Sequence, residues 1–416
     1  MKITTIVIGY SVLSIITVIN GLVKIPDEIN SESKYLYLNY TKICGSMFAG
    51  VRIGSPGQYL FKIIDQATDF CWTSDVFFNV LDSSTAVIVQ DITKTLFGLT
   101  LTGRIISDTY NIGDDEKASA TLKQMQFYCF NQTEEIYSRQ MDTISLAYSY
   151  SNANYSLVYN LKNQKLIDKS VYYIVPNKEY QDNGTIFIGN IPTNYNLHKL
   201  KKAEFKVKGG YLTWGFDLKG VIVGEYNNSV RYPYFKTNEN NSYAYFQVGE
   251  GETIVPVEFT DFLRDTLFSD LISKKSCYYR KDNYYKFFEC YSSDIKNLPK
   301  LTFVFQEYTL NVDVNKFFYF GDVLLKFNIV GALEPRNTWL FGTSFLLDFI
   351  AEFNSDESKI VLYSKERDII NIKSIEELFP LPYYLIRIIL FKLIIFLGVL
   401  GIVIGISNKF SVFSYK

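Results

Sequence analysis

Histidine is all but missing from this chain: His198 is the one imidazole in 416 residues. Serine–histidine triads, cysteine–histidine dyads and multi-histidine zinc sites each need a placed imidazole, so all three are excluded as readings. His198 itself lies in the polar run 194–202, where a solvated loop position is expected. Net charge is missing too, because 42 Lys and Arg meet 43 Asp and Glu for a formal balance of −1. No overall field gathers nucleic acid, and no nucleic-acid partner is expected. Cysteine is scarce: five residues permit at most two disulfides and leave one over. Cys277 and Cys290 enclose a short polar, aromatic loop and are expected to pair; among Cys44, Cys71 and Cys129 the sequence does not choose. With no metal site and no cofactor motif read, any chemistry must run on carboxylates.

Long apolar runs are confined to the two ends. Met1-Lys2 precedes an apolar stretch from Ile3 to Ile19 that stops at Asn20-Gly21, the pattern of a secretory signal peptide cut after Gly21. Tyr383 to Ile406 is interrupted by Arg387 and Lys392 alone and reads as one transmembrane helix. The charge-free part, Leu393 to Ile406, rises about 21 Å, so the span also uses residues before Lys392, whose stem can snorkel. A polar tail carrying Lys409 and Lys416 argues against a glycolipid anchor. The expectation is a single-pass type I membrane protein with its bulk lumenal or extracellular. Six sequons, at Asn39, Asn131, Asn154, Asn183, Asn227 and Asn240, are candidate glycan sites on that side.

What is abundant is aromatic: 33 Tyr, 33 Phe and 3 Trp make 17% of the chain, far from a disordered composition. Between the ends the hydrophobic period is mostly two, with β-branched and aromatic runs punctuated by Gly, Asn and Asp. Leu301–Phe305 and Tyr308–Val314 read as a hairpin. Helical spacing follows Pro256, where Phe259, Leu263, Leu267, Phe268 and Leu271 form a stripe, and a second helix is expected near Leu157 to Leu166. A mainly β region of this length is expected to form two lobes.

The segment Gly50-Val51-Arg52-Ile53-Gly54-Ser55-Pro56-Gly57-Gln58, then Phe61 to Thr68 and Cys71-Trp72, resembles the first active-site strand pair of pepsin-like aspartic proteases. Other landmarks follow in the family's order. Phe97-Gly98 through Thr102-Gly103 resembles the flap hairpin, Asp142 to Tyr148 the segment beside the first acid, and Gly184 to Gly189 the strand that joins the lobes. Cys290 with Leu298 to Phe303 resembles the second-lobe disulfide and the strand after it, and Trp339 to Leu346 the closing segment. The resemblance covers roughly residues 45 to 365 and implies a bilobal, mainly β pepsin-like fold followed by the membrane helix. The organisation expected is a signal peptide over 1–21, an N-terminal segment over 22–44, lobes over 45–200 and 201–366, a linker over 367–382, the helix over 383–406 and a cytosolic tail over 407–416.

The family's chemistry uses two carboxyl groups sharing one proton, each on an Asp-Thr-Gly turn, with the Thr hydroxyls interlocked across the lobes. Here the first turn is Asp65-Gln66-Ala67-Thr68: the acid is kept, and the Thr and Gly are not. Aligned on Gly251, the second acid's position falls on Gly249, and Pro256 then arrives about two residues earlier than the family spacing. Glu250 and Glu252 point away from the face of position 249 in extended chain. The substrate-contacting positions implied by the resemblance are Trp72, Phe97 and Gly98, with Phe97 in place of the flap tyrosine. The reading is a membrane-anchored, catalytically impaired homologue that binds a polypeptide in its cleft. The alternatives are a divergent active endopeptidase pairing Asp65 with Glu250 or Glu252, and a surface protein that keeps the scaffold alone.

Overall fold

The computed structural model describes residues 35–372 apart from 44, 69, 97–98, 113–119, 132–141, 149–155, 178–181, 209–212, 225–232, 238–241, 320–323, 335–337 and 365–367, and also Lys392. The chain is mainly β. Leu36–Ile43 (β1), Ser46–Ile53 (β2) and Gln58–Asp65 (β3) form an antiparallel meander. Leu36, Leu38 and Tyr40 of β1 and Met47, Ala49, Val51 and Ile53 of β2 turn inward, the alternation that a half-covered sheet imposes. Then come Trp72–Ser74 (β4), Val87–Leu96 (β5), Leu99–Ile112 (β6), Ala120–Phe130 (β7), Thr143–Ser145 (β8), Val171–Pro176 (β9) and Asn183–Ile188 (β10).

Among the described residues these ten strands belong to a 13-stranded sheet that runs from Lys201–Lys206 through Lys359–Ser364, Ile350–Asn354, β9, β10, β1, β2, β3, β8, β4, β7 and β6 to β5. Two of its strands, Ile350–Asn354 and Lys359–Ser364, come from the far end of the chain and one, Lys201–Lys206, from its middle, so backbone hydrogen bonds tie the later part of the chain to the earlier. Sheets of nine and five strands complete the second half. Leu301–Val304 and Tyr308–Val312 pair antiparallel as the sequence suggests. The stripe after Pro256 is cut in two: a helix runs over Val257–Asp265, a break follows at Thr266 to Phe268, and a short helix spans Ser269–Ser273. The helix near 157 covers Leu157–Asn163 and is capped by Ser156, whose hydroxyl accepts from the Tyr159 N–H.

The aromatic excess is spent mainly inside. Trp214 lies within 5.1 Å of the Tyr148 and Phe353 rings and 5.7 Å of Tyr172, while Phe341 touches Phe216, Phe246, Phe303 and Phe345. Among the described residues the largest apolar core runs from Leu36 to Ile369, with smaller clusters beside it. No helix among the described residues is long and apolar enough to cross a membrane; residues 1–21 and 383–406, on which the signal and membrane segments were placed, lie outside them.

Cys277 and Cys290 sit opposite each other on antiparallel strands and are disulfide-bonded. Cys71 and Cys129 are free and buried; Cys44 lies outside the described residues. β4 and β7 run parallel with Thr73 opposite Cys129, which leaves Cys71 two residues out of step. That diagonal is about 8 Å between Cα atoms, too long for a bridge. Burial pushes the Cys71 thiol up to about 11 and that of Cys129 to about 12, so both are inert. Opening the Cys277–Cys290 bridge, whose partners are 13 residues apart, is expected to cost about 3 kcal/mol in unfolding free energy, read as the difference between oxidised protein and a Cys277→Ser/Cys290→Ser variant in urea.

Candidate functional site

Asp65 closes β3. Its strand runs parallel to β8 with Asp65 opposite Ser145, and the Asp65 carbonyl accepts from Leu146 N at 2.7 Å. The side chain is 4% exposed. Oδ1 accepts from Ala67 N at 2.8 Å and Oδ2 from Thr68 Oγ1 at 2.5 Å. A third donor reaches it from the other half of the chain: Gln247 Nε2, 2.7 Å from Oδ1.

Gln247 occupies a mirror position. The strand Tyr243–Phe246 runs parallel to Thr338–Phe341 and ends one residue before Gln247, whose N–H donates to the Phe341 carbonyl at 3.0 Å. Its amide is oriented by what it meets. Gln66 N donates to Gln247 Oε1 at 2.9 Å, and because a backbone N–H can only donate, the oxygen must face it and the NH2 must face Asp65. The next residues interlock in turn: Val248 N donates to Gln66 Oε1 at 3.2 Å, and Gln66 Nε2 donates to the Tyr172 hydroxyl at 2.6 Å. Tyr172 passes the chain on to the Leu146 carbonyl at 3.1 Å, which also accepts from Trp214 Nε1 at 3.0 Å.

This geometry corrects the sequence reading at one point. The residue that faces Asp65 is Gln247, not Gly249. Gly249 packs instead against β3, where an added Cβ would lie 2.9 Å from the Ile64 carbonyl and 3.0 Å from Ile63 Cγ2. Positions 247 and 249 share a face in extended chain, so alternation cannot separate them; the early Pro256 was the signal, since moving the register by two residues removes the discrepancy. Gln66 lacks the hydroxyl that the family interlocks, and its carboxamide makes the link in its place. The Glu252 carboxylate is ion-paired with Lys326 Nζ at 2.5 Å, and Glu250 is exposed.

Trp72 is 5% exposed and packs edge-on to Phe130 at 5.8 Å within a cluster of Phe70, Leu101, Ile105 and Tyr128. Its indole N–H is buried and has no hydrogen-bond partner among the described residues. Phe97 and Gly98 lie outside those residues. Of the sequons, Asn131 is exposed after β7, whereas Asn39 and Asn183 lie inside the paired strands β1 and β10; Asn154, Asn227 and Asn240 fall outside the described residues. His198 is exposed in a short turn over Leu197–Lys199.

One buried charge went unnoticed in the sequence. Lys62, three residues before Asp65, is fully buried, and its ammonium donates to the Trp72 carbonyl at 3.0 Å. Burial lowers its pKa, and the Asp142 carboxylate pulls it partly back. Asp142 accepts from Ser74 N at 3.0 Å and from the Thr73 hydroxyl; burial raises its pKa, with Lys62 opposing. The pair braces the strand that carries Asp65 against β4.

A family model described as eukaryotic aspartyl protease matches residues 48–364. No curated protein matches the chain.

Two outcomes follow. Gly249→Ala is expected to destabilise by about 1–3 kcal/mol in urea unfolding, because its methyl meets backbone. For Asp142, a raised folded pKa means that the folded state holds the proton more tightly than the unfolded one. Its contribution to stability is then greatest at acid pH and lost as pH climbs from the unfolded value of about 4 through the raised folded one. The stability of the parent relative to Asp142→Asn should therefore fall with rising pH, measured by urea unfolding at a series of pH values; a difference that grows with pH contradicts the assignment.

Proposed function

Since the chain belongs to the eukaryotic aspartyl protease family, whose reaction needs two carboxyl groups sharing a proton, we propose that it is a catalytically silent member that binds an extended polypeptide in its cleft. The observation that carries the reading is the Gln247 amide seated on Asp65 at 2.7 Å. A protonated carboxyl can polarise a scissile carbonyl and hand its proton on; a carboxamide donates an N–H it cannot give up. Asp65 thus has a hydrogen-bond donor where a working dyad has an acid. Gln247 holds the place of the second acid, and Glu252, one of the two alternative acids, is ion-paired with Lys326. The scaffold around the pair is intact, and peptide capture through backbone hydrogen bonds does not require the acids. The apolar segments at 3–19 and 383–406 support a secreted, type I membrane-anchored form with the folded part on the lumenal or outer side.

The test is a repair experiment. The parent is expected to leave a denatured protein substrate uncut between about pH 3 and 6, and Gln247→Asp to raise cleavage at least about a hundredfold above that background, the scale of a general acid. Gly249→Asp, which forces a side chain against the Ile64 carbonyl, is expected to restore nothing. Cleavage by the parent that disappears in Asp65→Ala would overturn the proposal.

A further inference from the structure

At Thr102 the hairpin of β5 and β6 parts from the rest of the sheet. β6 pairs with β7 from Gly103 onward, where Gly103 stands opposite Phe130, and the Asn131 N–H donates to the Thr102 carbonyl at 2.9 Å. The last four pairs of the hairpin, from Thr93 with Thr102 to Leu96 with Leu99, have no third strand beside them among the described residues. A two-stranded ribbon is marginal by itself, so its position depends on side chains that reach the body. Asp91 and Arg104, opposite each other and 3.4 Å apart, tie the two strands of the hairpin to one another and not to the body.

Lys94 and Leu101 make that reach. They are directly opposite, so they share one face of the ribbon. Leu101 is buried among Phe70, Trp72, Ile105, Tyr128 and Phe130, and half-buried Ile92, two residues before Lys94 on the same face, packs against the same cluster. The Lys94 ammonium lies 3.7 Å from the centre of the Phe70 ring and 4.8 Å from that of Tyr128. Those rings are 4.4 Å apart and come from different places: Tyr128 from β7, and Phe70 from the segment that follows Asp65. An ammonium over ring faces is held by the ring quadrupole, and more firmly as water is excluded. Leu101 brings apolar area; Lys94 brings a contact that needs its charge.

We infer that Lys94 fastens a strap: its charge, seated on Phe70 and Tyr128, holds the free end of the β5–β6 hairpin down on the ring cluster that follows Asp65 in the chain. Release of this contact lifts the end while the sheet from Gly103 onward stays formed. Lifting uncovers Phe70 and Trp72, whose buried indole N–H has no hydrogen-bond partner among the described residues, so the fastening governs access to them. A flap hairpin at this place is what the family resemblance implies; a cation that fastens it is read from the residues of this chain. The assignment does not depend on whether the site at Asp65 binds or cuts.

The experiment is amide hydrogen exchange on the full chain in phosphatidylcholine nanodiscs, read by mass spectrometry over 93–102 and over 103–112. Lys94→Met keeps the apolar stem and removes the charge. Exchange over 93–102 is expected to rise at least about threefold with 103–112 unchanged, and Lys94→Arg to exchange like the parent. Phe70→Leu should loosen 93–102 in the parent and do so less in Lys94→Met, because both changes break the same contact. Parent-like exchange in Lys94→Met, an arginine variant as loose as the methionine one, or additive effects of Lys94→Met and Phe70→Leu would each overturn the inference. So would Lys94→Met raising exchange equally over 103–112, since the charge would then serve the whole sheet and not its free end.

Discussion

The centre of this molecule is held by one carboxamide. Gln247 gives its NH2 to Asp65 and takes the Gln66 N–H on its oxygen, so a single neutral side chain satisfies a buried acid and a buried backbone donor from the opposite half of the chain. Both would cost free energy if left unmet, about 1–3 kcal/mol for each stranded group. Two carboxylates at this separation would need a shared proton to coexist; a carboxylate and an amide need none. The crossing is therefore stable in a form in which proton traffic between its two sides has no carrier.

From that contact the network runs outward without a break. Gln66 ties Val248 of the second half to Tyr172, Tyr172 reaches the Leu146 carbonyl, and Trp214 arrives at the same carbonyl from beyond the lobe boundary. Such polar chains in a poorly polarisable interior fix geometry more strongly than isolated bonds do. They also sit among the stacked aromatics around Trp214 and Phe353, and strands from the middle and far end of the chain extend the sheet of its earlier part. The halves are thus keyed together by backbone pairing, ring packing and the amide crossing at once.

Much of this was legible in the residues. Period-two runs formed strands because a half-buried sheet sorts side chains by face, and Cys277 and Cys290 paired as expected. The second lobe's register was not legible from alternation, since a shift of two residues preserves every face; it needed the spacing from Gln247 to Pro256. Gln66 looked like a loss because a hydroxyl was expected, but a longer side chain can span the same gap from the same backbone position. Lys62 was invisible for another reason: in sequence it is an ordinary strand lysine, and its burial comes from β4, β7 and β8 closing over β3, contacts made by residues up to eighty positions away. The exposure of Val87 to Val89 was equally hidden, because it follows from β5 ending the sheet among the described residues.

The polar accounting at the crossing bears on how the second acid was lost. Unguided decay of a dyad leaves orphans: a threonine removed from one turn strands the backbone N–H that its hydroxyl served on the other. Here Gln66 and Gln247 are both longer than the residues the family places there, and between them they engage Val248 N, Gln66 N, Asp65 Oδ1 and the Tyr172 hydroxyl. The two side chains form one interlock: Gln247 accepts the Gln66 N–H and Gln66 accepts the Val248 N–H. At the crossing each of these donors has its acceptor, and Asp65 keeps three hydrogen-bond donors with an amide, not a second acid, on its far side.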